Sequence, residues 1–239
     1  MVYTLENCSL YELREINNIP VIIFENHNMA LPVWGSYAYK LKKSLSLLTF
    51  DTHADTHDPF AREVGGHEYK YKQFKKEVLS KIHYSIYDFE FEDVYKLACE
   101  YVVNDEHILC AYLFDYINEY NIFCDLSEED IAYYQNGDTS RGLNAAYYSK
   151  YSILTMPNDE IKKFCEKPFI LDFDLDYFTS SKIFTKNFID KISLLIRSAT
   201  LITIAKEPFF FNDKVIEKNF TNQEALDMLL KIIENAING

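Results

Sequence analysis

Two short apolar runs in this chain each end directly in closely spaced acidic residues. The first run, Leu45–Phe50, continues into Asp51-Thr52-His53-Ala54-Asp55, and the second, Pro168–Leu171, continues into Asp172-Phe173-Asp174-Leu175-Asp176. Apolar runs of this length are typical of buried strands, and alternate side chains of a strand lie on one face. Several carboxylates on one face repel one another unless a cation lies among them. The two runs therefore predict buried strands that end at a site for divalent ions.

Strand-like and helix-like segments alternate along the chain, which is typical of a parallel α/β sheet. No repeat or Pro/Gly/Ser-rich linker interrupts the 239 residues, so we expect a single domain over residues 1–239. The predicted fold class is α/β, with three layers in which helices flank a mostly parallel sheet. Strands are predicted at 21–24, 45–50, 152–155, 168–173 and 201–205. Helices are predicted near 31–41, 90–120, 159–165 and 186–198, and after Thr221.

The composition excludes several classes of protein. A hydrophobic content of 48% with Tyr 19 and Phe 18 indicates a packed, aromatic core rather than a disordered chain. The net charge of -13 disfavours nucleic acid as a partner and favours cationic ligands or metal ions. No basic-then-apolar leader and no apolar stretch of membrane-spanning length is present, and the five cysteines are scattered. These features predict a cytoplasmic protein that is neither exported nor embedded in a membrane.

Candidate functional groups follow four of the predicted strands. His27, Asp51, Asp174 and Glu207 each lie at or just beyond a strand end. A single acidic residue in such a place is more often a helix cap or a solvated turn. In open parallel sheets, however, ligands bind beyond the carboxyl ends of the strands, where neighbouring strand ends meet. Four groups in this position together predict one site.

The acidic motifs resemble those of the arginase and ureohydrolase superfamily. Asp51, His53 and Asp55 match its Asp-x-His-x-Asp metal motif, and Asp174 and Asp176 match its second, Asp-x-Asp motif, in the same order. Within that superfamily the chain is most similar to the peptide arginases, which convert arginine residues of ribosomally made peptides to ornithine. The closer similarity involves three segments, 24–34, 51–55 and 174–178. It extends over most of the chain between residues 20 and about 210, although the aspartate usual before the first metal-binding histidine is Asn26 here.

The resemblance implies an arginase/deacetylase-like fold and two Mn²⁺ ions. One ion would bind His27, Asp51, Asp55 and Asp174, and the other would bind Asp51, His53, Asp174 and Asp176, so that Asp51 and Asp174 bridge. Four carboxylates neutralise two dications, whereas unpartnered buried carboxylates are costly. The superfamily has a small hydroxyl residue at the place of Asp172, so we predict that Asp172 supports a ligand rather than binding an ion itself.

The resemblance also implies three catalytic residues. Glu207, which precedes Pro208, lies where similar arginases keep a glutamate that pairs with the guanidinium group, although they separate the two by two residues. A surface Glu-Pro turn is the alternative. His67, after Gly65-Gly66, is the first candidate for the proton shuttle and His57 is the second. His83 and His107 are predicted to be ordinary surface or core residues.

The predicted function is hydrolysis of arginine residues of a precursor peptide to ornithine and urea by a dimanganese enzyme. Two other classes of function stay open. A metal-dependent ureohydrolase or deacetylase could act on a small molecule, although a zinc deacetylase normally uses fewer acidic ligands around one metal. A non-catalytic, metal-stabilised protein could instead bind basic peptides through an acidic rim. The expected partner is an arginine-containing peptide, and an oligomer is possible.

Overall fold

A seven-stranded sheet forms the middle layer of the protein. The computed structural model describes residues 10–65 and 67–239. Its strands are β1 (Tyr11–Ile16), β2 (Ile19–Phe24), β3 (Leu45–Phe50), β4 (Tyr84–Ser85), β5 (Asp88–Phe89), β6 (Ile117–Cys124), β7 (Asn144–Ser149), β8 (Phe169–Asp174) and β9 (Leu201–Ala205). The central sheet has the order β1-β2-β9-β8-β3-β6-β7, and β4 pairs with β5 in a separate hairpin. Only the β1–β2 pair of the central sheet is antiparallel.

Helices cover both faces of this sheet. They are α1 (Ala30–Leu41), α2 (Ala61–Val64), α3 (Glu68–Glu77), α4 (Phe91–Tyr101), α5 (His107–Leu113), α6 (Glu128–Ser140), α7 (Ser152–Thr155), α8 (Asn158–Lys163), α9 (Lys186–Ile196), α10 (Pro208–Lys214) and α11 (Asn222–Asn238). Within residues 10–65 and 67–239, no helix combines the length and the apolar character needed to cross a bilayer.

Two apolar clusters on opposite faces hold the three layers together. Ile22 of β2 packs in the same cluster as Trp34 of α1, whereas the next residue, Ile23, packs in the cluster that contains Ile192 of α9 and Leu229 of α11. This alternation is the period-two pattern of a strand that is covered on both sides. All six residues of β3 and of β8 are buried, as expected for central strands. The predicted three-layer, mostly parallel α/β fold is therefore confirmed.

Some predicted elements were wrong. Ser152–Thr155 is a helical turn and not a strand, because only Ile153 of this segment is buried, against the helical layer. The region 90–120 is not continuously helical: α5 ends near Asp115, whose left-handed φ of 61° turns the chain into β6. Three strands of the central sheet were not predicted: β6, which lies inside the sheet, and β1 and β7, which form its two edges.

The start of α11 was predicted correctly and offers a test of stability. The Thr221 side chain accepts a hydrogen bond from the Glu224 backbone N–H at 3.2 Å, and the Glu224 carboxylate accepts one from the Thr221 N–H at 2.8 Å. We expect Thr221→Ala to lower the free energy of unfolding by about 1 kcal/mol, because the Glu224 backbone N–H loses the hydroxyl oxygen that accepts its hydrogen bond. Thr221→Ser keeps the hydroxyl and should unfold like the wild type in urea. Equal stability of the Ala and Ser variants would contradict this role.

Candidate metal centre

The carboxyl ends of four neighbouring parallel strands form the site. β2, β9, β8 and β3 are adjacent in the sheet and run in the same direction. His27 opens a short 3-10 helix just after β2, Asp51 follows β3, Asp174 ends β8, and Glu207 follows β9. All four residues are buried. The strand order thus brings together groups that are up to 180 positions apart in sequence.

One half of the cluster surrounds the His27 ring. Its Nδ1 atom lies 3.2 Å from an oxygen of Asp55, 3.2 Å from an oxygen of Asp174 and 3.4 Å from Oδ2 of Asp51. The His27 side chain is fully buried. Three carboxylate oxygens thus lie close to one nitrogen of a fully buried imidazole ring.

The other half surrounds His53. Its Nδ1 atom lies 3.1 Å from Oδ2 of Asp176 and 3.8 Å from Oδ1 of Asp51. His53, Asp51 and Asp176 each place a ligand-type atom within 4.8 Å of the other two. Asp51 therefore directs one carboxylate oxygen toward each histidine, as a bridging ligand would. The His53 side chain is 38% exposed, so this half opens to solvent.

Asp55 reaches the cluster by a route that the alternation pattern did not predict. The chain leaves the sheet after Phe50, and residues 51–58 form no strand. Asp55 has a left-handed φ of 52°, which turns its side chain toward His27. The alternation of side chains seen in a strand therefore does not extend through Asp55, and it does not determine the position of the His57 side chain.

The residues present fit divalent ions. Among the described residues, His27 Nδ1, Asp51 Oδ2 and Asp176 Oδ2 are buried without a hydrogen-bond partner. Burial, followed by repulsion from neighbouring carboxylates, raises the pKa of Asp51 and of Asp174 well above the usual carboxyl value. Buried, unpaired charges cost several kcal/mol each. A cation that binds these atoms would satisfy the orphaned groups and remove the repulsion.

Asp172 lies behind His27. Its carboxylate, which is fully buried, accepts hydrogen bonds from His27 Nε2 at 2.8 Å, from the Thr203 hydroxyl at 2.5 Å and from the Thr49 hydroxyl at 3.4 Å. Because Nε2 donates to Asp172, the lone pair of the neutral ring lies on Nδ1, which faces the other carboxylates. This position agrees with the prediction that Asp172 supports a ligand.

Glu207 lies beside the same cluster. Its Oε1 atom accepts the His27 backbone N–H at 2.9 Å, and the residue is 5% exposed. Burial raises the pKa of this carboxyl to about 7. Its backbone has a left-handed φ of 39°, a conformation that costs a non-glycine residue about 1 kcal/mol. The surface-turn alternative therefore does not describe Glu207, which is held inward by the Glu25 carbonyl and by His27.

A cleft of about 610 Å³ leads from the surface to this cluster. Polar groups at its base include His53, Asp55 and Glu207. Its apolar wall is formed by Val102, Val103, Leu126, Tyr134 and Phe210. The arrangement resembles a binding site in which a polar end of a ligand meets the carboxylates and an apolar part lies against the wall.

The two histidines predicted as proton shuttles lie in different places. His57 lines the cleft, is half-exposed, and pairs with Asp105 at 3.0 Å. His67 does not line this cleft; it precedes α3 and lines a separate surface pocket with Tyr71 and Arg141. Gly65, in a left-handed conformation, ends α2 just before it, and Gly66 lies outside the described residues. His67 thus lines a different pocket from the cluster, and its role as a proton shuttle stays a prediction.

His107 is a residue that the sequence analysis missed. It is fully buried, its ring centroid lies 4.2 Å from that of His27, and its Nδ1 bonds to the Asn104 carbonyl at 2.6 Å. With His27 and Asp55 it forms a third group of ligand-type atoms within 4.8 Å of one another. Nothing around position 107 resembles a metal motif, so only the fold reveals this contact. His83 is exposed and pairs with Asp88, as an ordinary surface residue does.

Comparison with known proteins identifies the class of fold. No family model and no curated protein matches this chain. Among solved structures, the fold is similar to that of an amidino hydrolase. That protein is proclavaminate amidino hydrolase from Streptomyces clavuligerus, with a TM-score of 0.51 and 12% identity over 91% of this chain. The match covers 63% of the length of that enzyme. At this identity the similarity shows the fold alone.

Proposed function

We propose that this protein is a dimetal hydrolase that converts arginine residues of a peptide to ornithine and releases urea. The observation that carries the proposal is the cluster of buried carboxylates and two histidines, with orphaned ligand atoms, at the base of an open cleft. Hard oxygen donors with two imidazoles suit Mn²⁺. The amidinohydrolase fold supports chemistry on a guanidinium group.

His27, Asp51, Asp55 and Asp174 would hold one ion, and Asp51, His53, Asp174 and Asp176 the other. Divalent ions in such a centre lower the pKa of water, which provides a nucleophile at neutral pH.

Glu207 would orient the substrate. One of its oxygens already accepts the His27 backbone N–H, which leaves the second oxygen for an N–H of the guanidinium. Holding the planar cation beside the centre places its carbon for attack. His57, at the cleft wall, is better placed than His67 to carry a proton to the leaving amine.

A peptide substrate agrees with the open cleft and with the net charge of -13, which attracts a cationic peptide.

The direct experiment is incubation of the Mn²⁺-loaded protein with an arginine-containing peptide and, separately, with free arginine. We expect urea release and a peptide mass that matches conversion of arginine to ornithine. A matched peptide with lysine in place of arginine should stay unchanged. Binding of the arginine peptide without urea would instead favour the non-catalytic class.

A change in the apolar wall of the cleft should weaken substrate binding without slowing the chemical step. Phe210 lines the cleft, and its ring lies edge-on to His53 with the centroids 5.9 Å apart. Packing of the arginine methylenes on this ring is worth about 1 kcal/mol, so we expect Phe210→Ala to raise KM roughly fivefold with little change in kcat. Phe209 is 79% exposed and does not line the cleft, so Phe209→Ala is the matched control. Equal KM values for the two variants in urea-release assays would contradict this role.

A further inference from the structure

We infer that Tyr147 and Asp138, which lie outside the cluster and the cleft, are positioning residues that hold Asp55 at the cluster and His57 at the cleft wall. They act through the segment 54–58, which carries both residues. Because the expected effect is on urea release, this inference rests on the proposed function.

The segment 54–58 connects β3 to α2 without forming a strand or a helix. It carries Asp55, with Oδ2 3.2 Å from His27 Nδ1, and His57, which lines the cleft. Asp55 has a φ of 52°, a left-handed conformation that persists only where surrounding contacts enforce it. The contacts of the neighbouring residues therefore decide where the Asp55 side chain points.

The residue after Asp55 is held by a buried chain of hydrogen bonds. Thr56 is 2% exposed, and its Oγ1 atom lies 3.2 Å from the Tyr147 hydroxyl. That hydroxyl donates to Oδ2 of the fully buried Asp138 at 2.6 Å. Since the single tyrosine proton goes to the carboxylate, Thr56 is the donor in its contact with Tyr147. This charge-assisted chain fixes Thr56 relative to β7 and α6.

The residue before Asp55 is held from the neighbouring strand. The Tyr120 hydroxyl, on β6, donates to the Ala54 carbonyl at 2.9 Å. The Tyr120 and Tyr147 rings meet edge-on with their centroids 5.9 Å apart, so two adjacent strands direct their hydroxyls to one segment. Asp55 thus lies between two residues that are bonded to the sheet.

Asp138 reaches the segment by a second route. Its Oδ1 atom lies 3.3 Å from Arg141, which also lies 3.0 Å from Oδ1 of Asp58, the residue after His57. The Arg141 and Asp58 side chains are 40% and 44% exposed, so this route contributes less than the buried route through Tyr147.

The groups proposed to bind the substrate come from another part of the fold. Glu207 follows β9, and Phe210 lies on α10. A change behind the segment 54–58 should therefore displace Asp55 and His57 but leave the contacts to the guanidinium. A shift of about 1 Å between reacting groups lowers a rate by up to about 100-fold. For the loss of one hydroxyl we expect kcat to fall about tenfold while KM stays within about twofold.

The test is a double-mutant cycle on the Mn²⁺-loaded full chain with the arginine peptide. Tyr147→Phe and Thr56→Val each remove one hydroxyl and keep the shape of the side chain, so each should lower kcat about tenfold. Because both changes break the same contact, the double variant should also fall about tenfold rather than about 100-fold. Thr56→Ser, which keeps a hydroxyl, should recover most of the wild-type kcat.

Tyr148→Phe is the matched control. It removes the same atom from the next residue of β7, whose ring packs on the opposite face of the sheet against Phe123 with the centroids 5.1 Å apart. It should leave kcat unchanged.

Hydrogen exchange over residues 54–58 supplies a readout that does not depend on turnover. The His57 N–H donates to the Asp105 carbonyl at 2.8 Å, so its exchange reports how well the segment is held. Exchange should be faster in Tyr147→Phe and Thr56→Val than in the wild type, and unchanged in Tyr148→Phe.

Two results would overturn the inference and leave the proposed function intact: a kcat near the wild-type value in both single variants, or losses that multiply to about 100-fold in the double variant. A wild-type protein that releases no urea would overturn the proposed function. Hydrogen exchange would then decide whether Tyr147 holds the segment 54–58: unchanged exchange in Tyr147→Phe would overturn that role, and faster exchange would support it.

Discussion

Asp174→Asn is expected to abolish urea release and to remove Mn²⁺ binding. Asp174 is 1% exposed at the end of β8, and its Oδ2 lies 3.2 Å from His27 Nδ1. Its other oxygen, Oδ1, accepts the Asp176 backbone N–H at 3.1 Å. As a bridging ligand it would contribute to both ion positions, so no single remaining ligand can replace it. Loss of one partner of a buried charge pair costs about 3–5 kcal/mol, which is a fall of roughly two to four orders of magnitude in ion affinity.

Without metal, the Asp174→Asn variant should be at least as stable to heat as the wild type. Burial and repulsion from Asp176 raise the pKa of the Asp174 carboxyl well above its usual value, which indicates that its charge destabilises the metal-free fold. The neutral amide removes this repulsion, so metal-free Asp174→Asn should melt at or above the temperature of the metal-free wild type. Only the wild type should gain thermal stability on adding Mn²⁺. Asp190→Asn, an exposed control, should respond like the wild type.

Two observations together would contradict the role of Asp174 as a metal ligand. If Asp174→Asn kept both its urea release and its Mn²⁺-dependent rise in melting temperature, Asp174 would not be a ligand. A variant that is unfolded by circular dichroism would be replaced by Asp174→Ser, which leaves space and carries no charge.

Glu207→Gln is expected to keep both ions and lose nearly all turnover. The glutamine carbonyl can still accept the His27 backbone N–H, so the loop that carries His27 should keep its place. The negative charge that would pair with the guanidinium is lost. A hydrogen bond to a charged group contributes about 1.5–3 kcal/mol, and misplacement of the carbon lowers the rate further. We expect a fall in kcat/KM of at least about 100-fold.

Glu25→Gln is the matched control, since Glu25 lies near the same strand ends and pairs with Lys206 outside the cluster. It should leave turnover unchanged. Turnover of Glu207→Gln near the wild-type rate would contradict the guanidinium-pairing role. Loss of an ion from Glu207→Gln would show a different role, because Glu207 also places an oxygen within 4.8 Å of ligand atoms of His27 and Asp174.

Much of the fold could be predicted because the central strands are buried on both faces. β3, β8 and β9 consist of buried residues and read as apolar runs, and the acidic groups that follow β3 and β8 marked the carboxyl edge of the sheet. The edge strand β7 was missed since two of its six residues are exposed and two are half-buried, which leaves only a weak pattern. Local pattern therefore predicted four of the five interior strands of the central sheet, β2, β9, β8 and β3, but missed the interior strand β6 and both edge strands.

The site was predictable only where its residues belong to short motifs. His53, Asp55 and Asp176 follow from spacing and resemblance, whereas His107 comes from a helix that packs over His27 and carries no signature. The place of His67 in a separate surface pocket could not be derived from the sequence, because a loop offset does not specify the direction in which the loop turns. The left-handed residues Asp55 and Gly65 set those directions, and their conformations depend on tertiary contacts.

The two-ion centre is tested most directly by a crystal soaked in Mn²⁺, with anomalous diffraction recorded at the manganese edge. We predict two anomalous peaks at the ends of β3 and β8, one next to His27 Nδ1 and one next to His53 Nδ1, with Asp51 in contact with both. An anomalous map without a peak among these side chains, at saturating Mn²⁺, would contradict it.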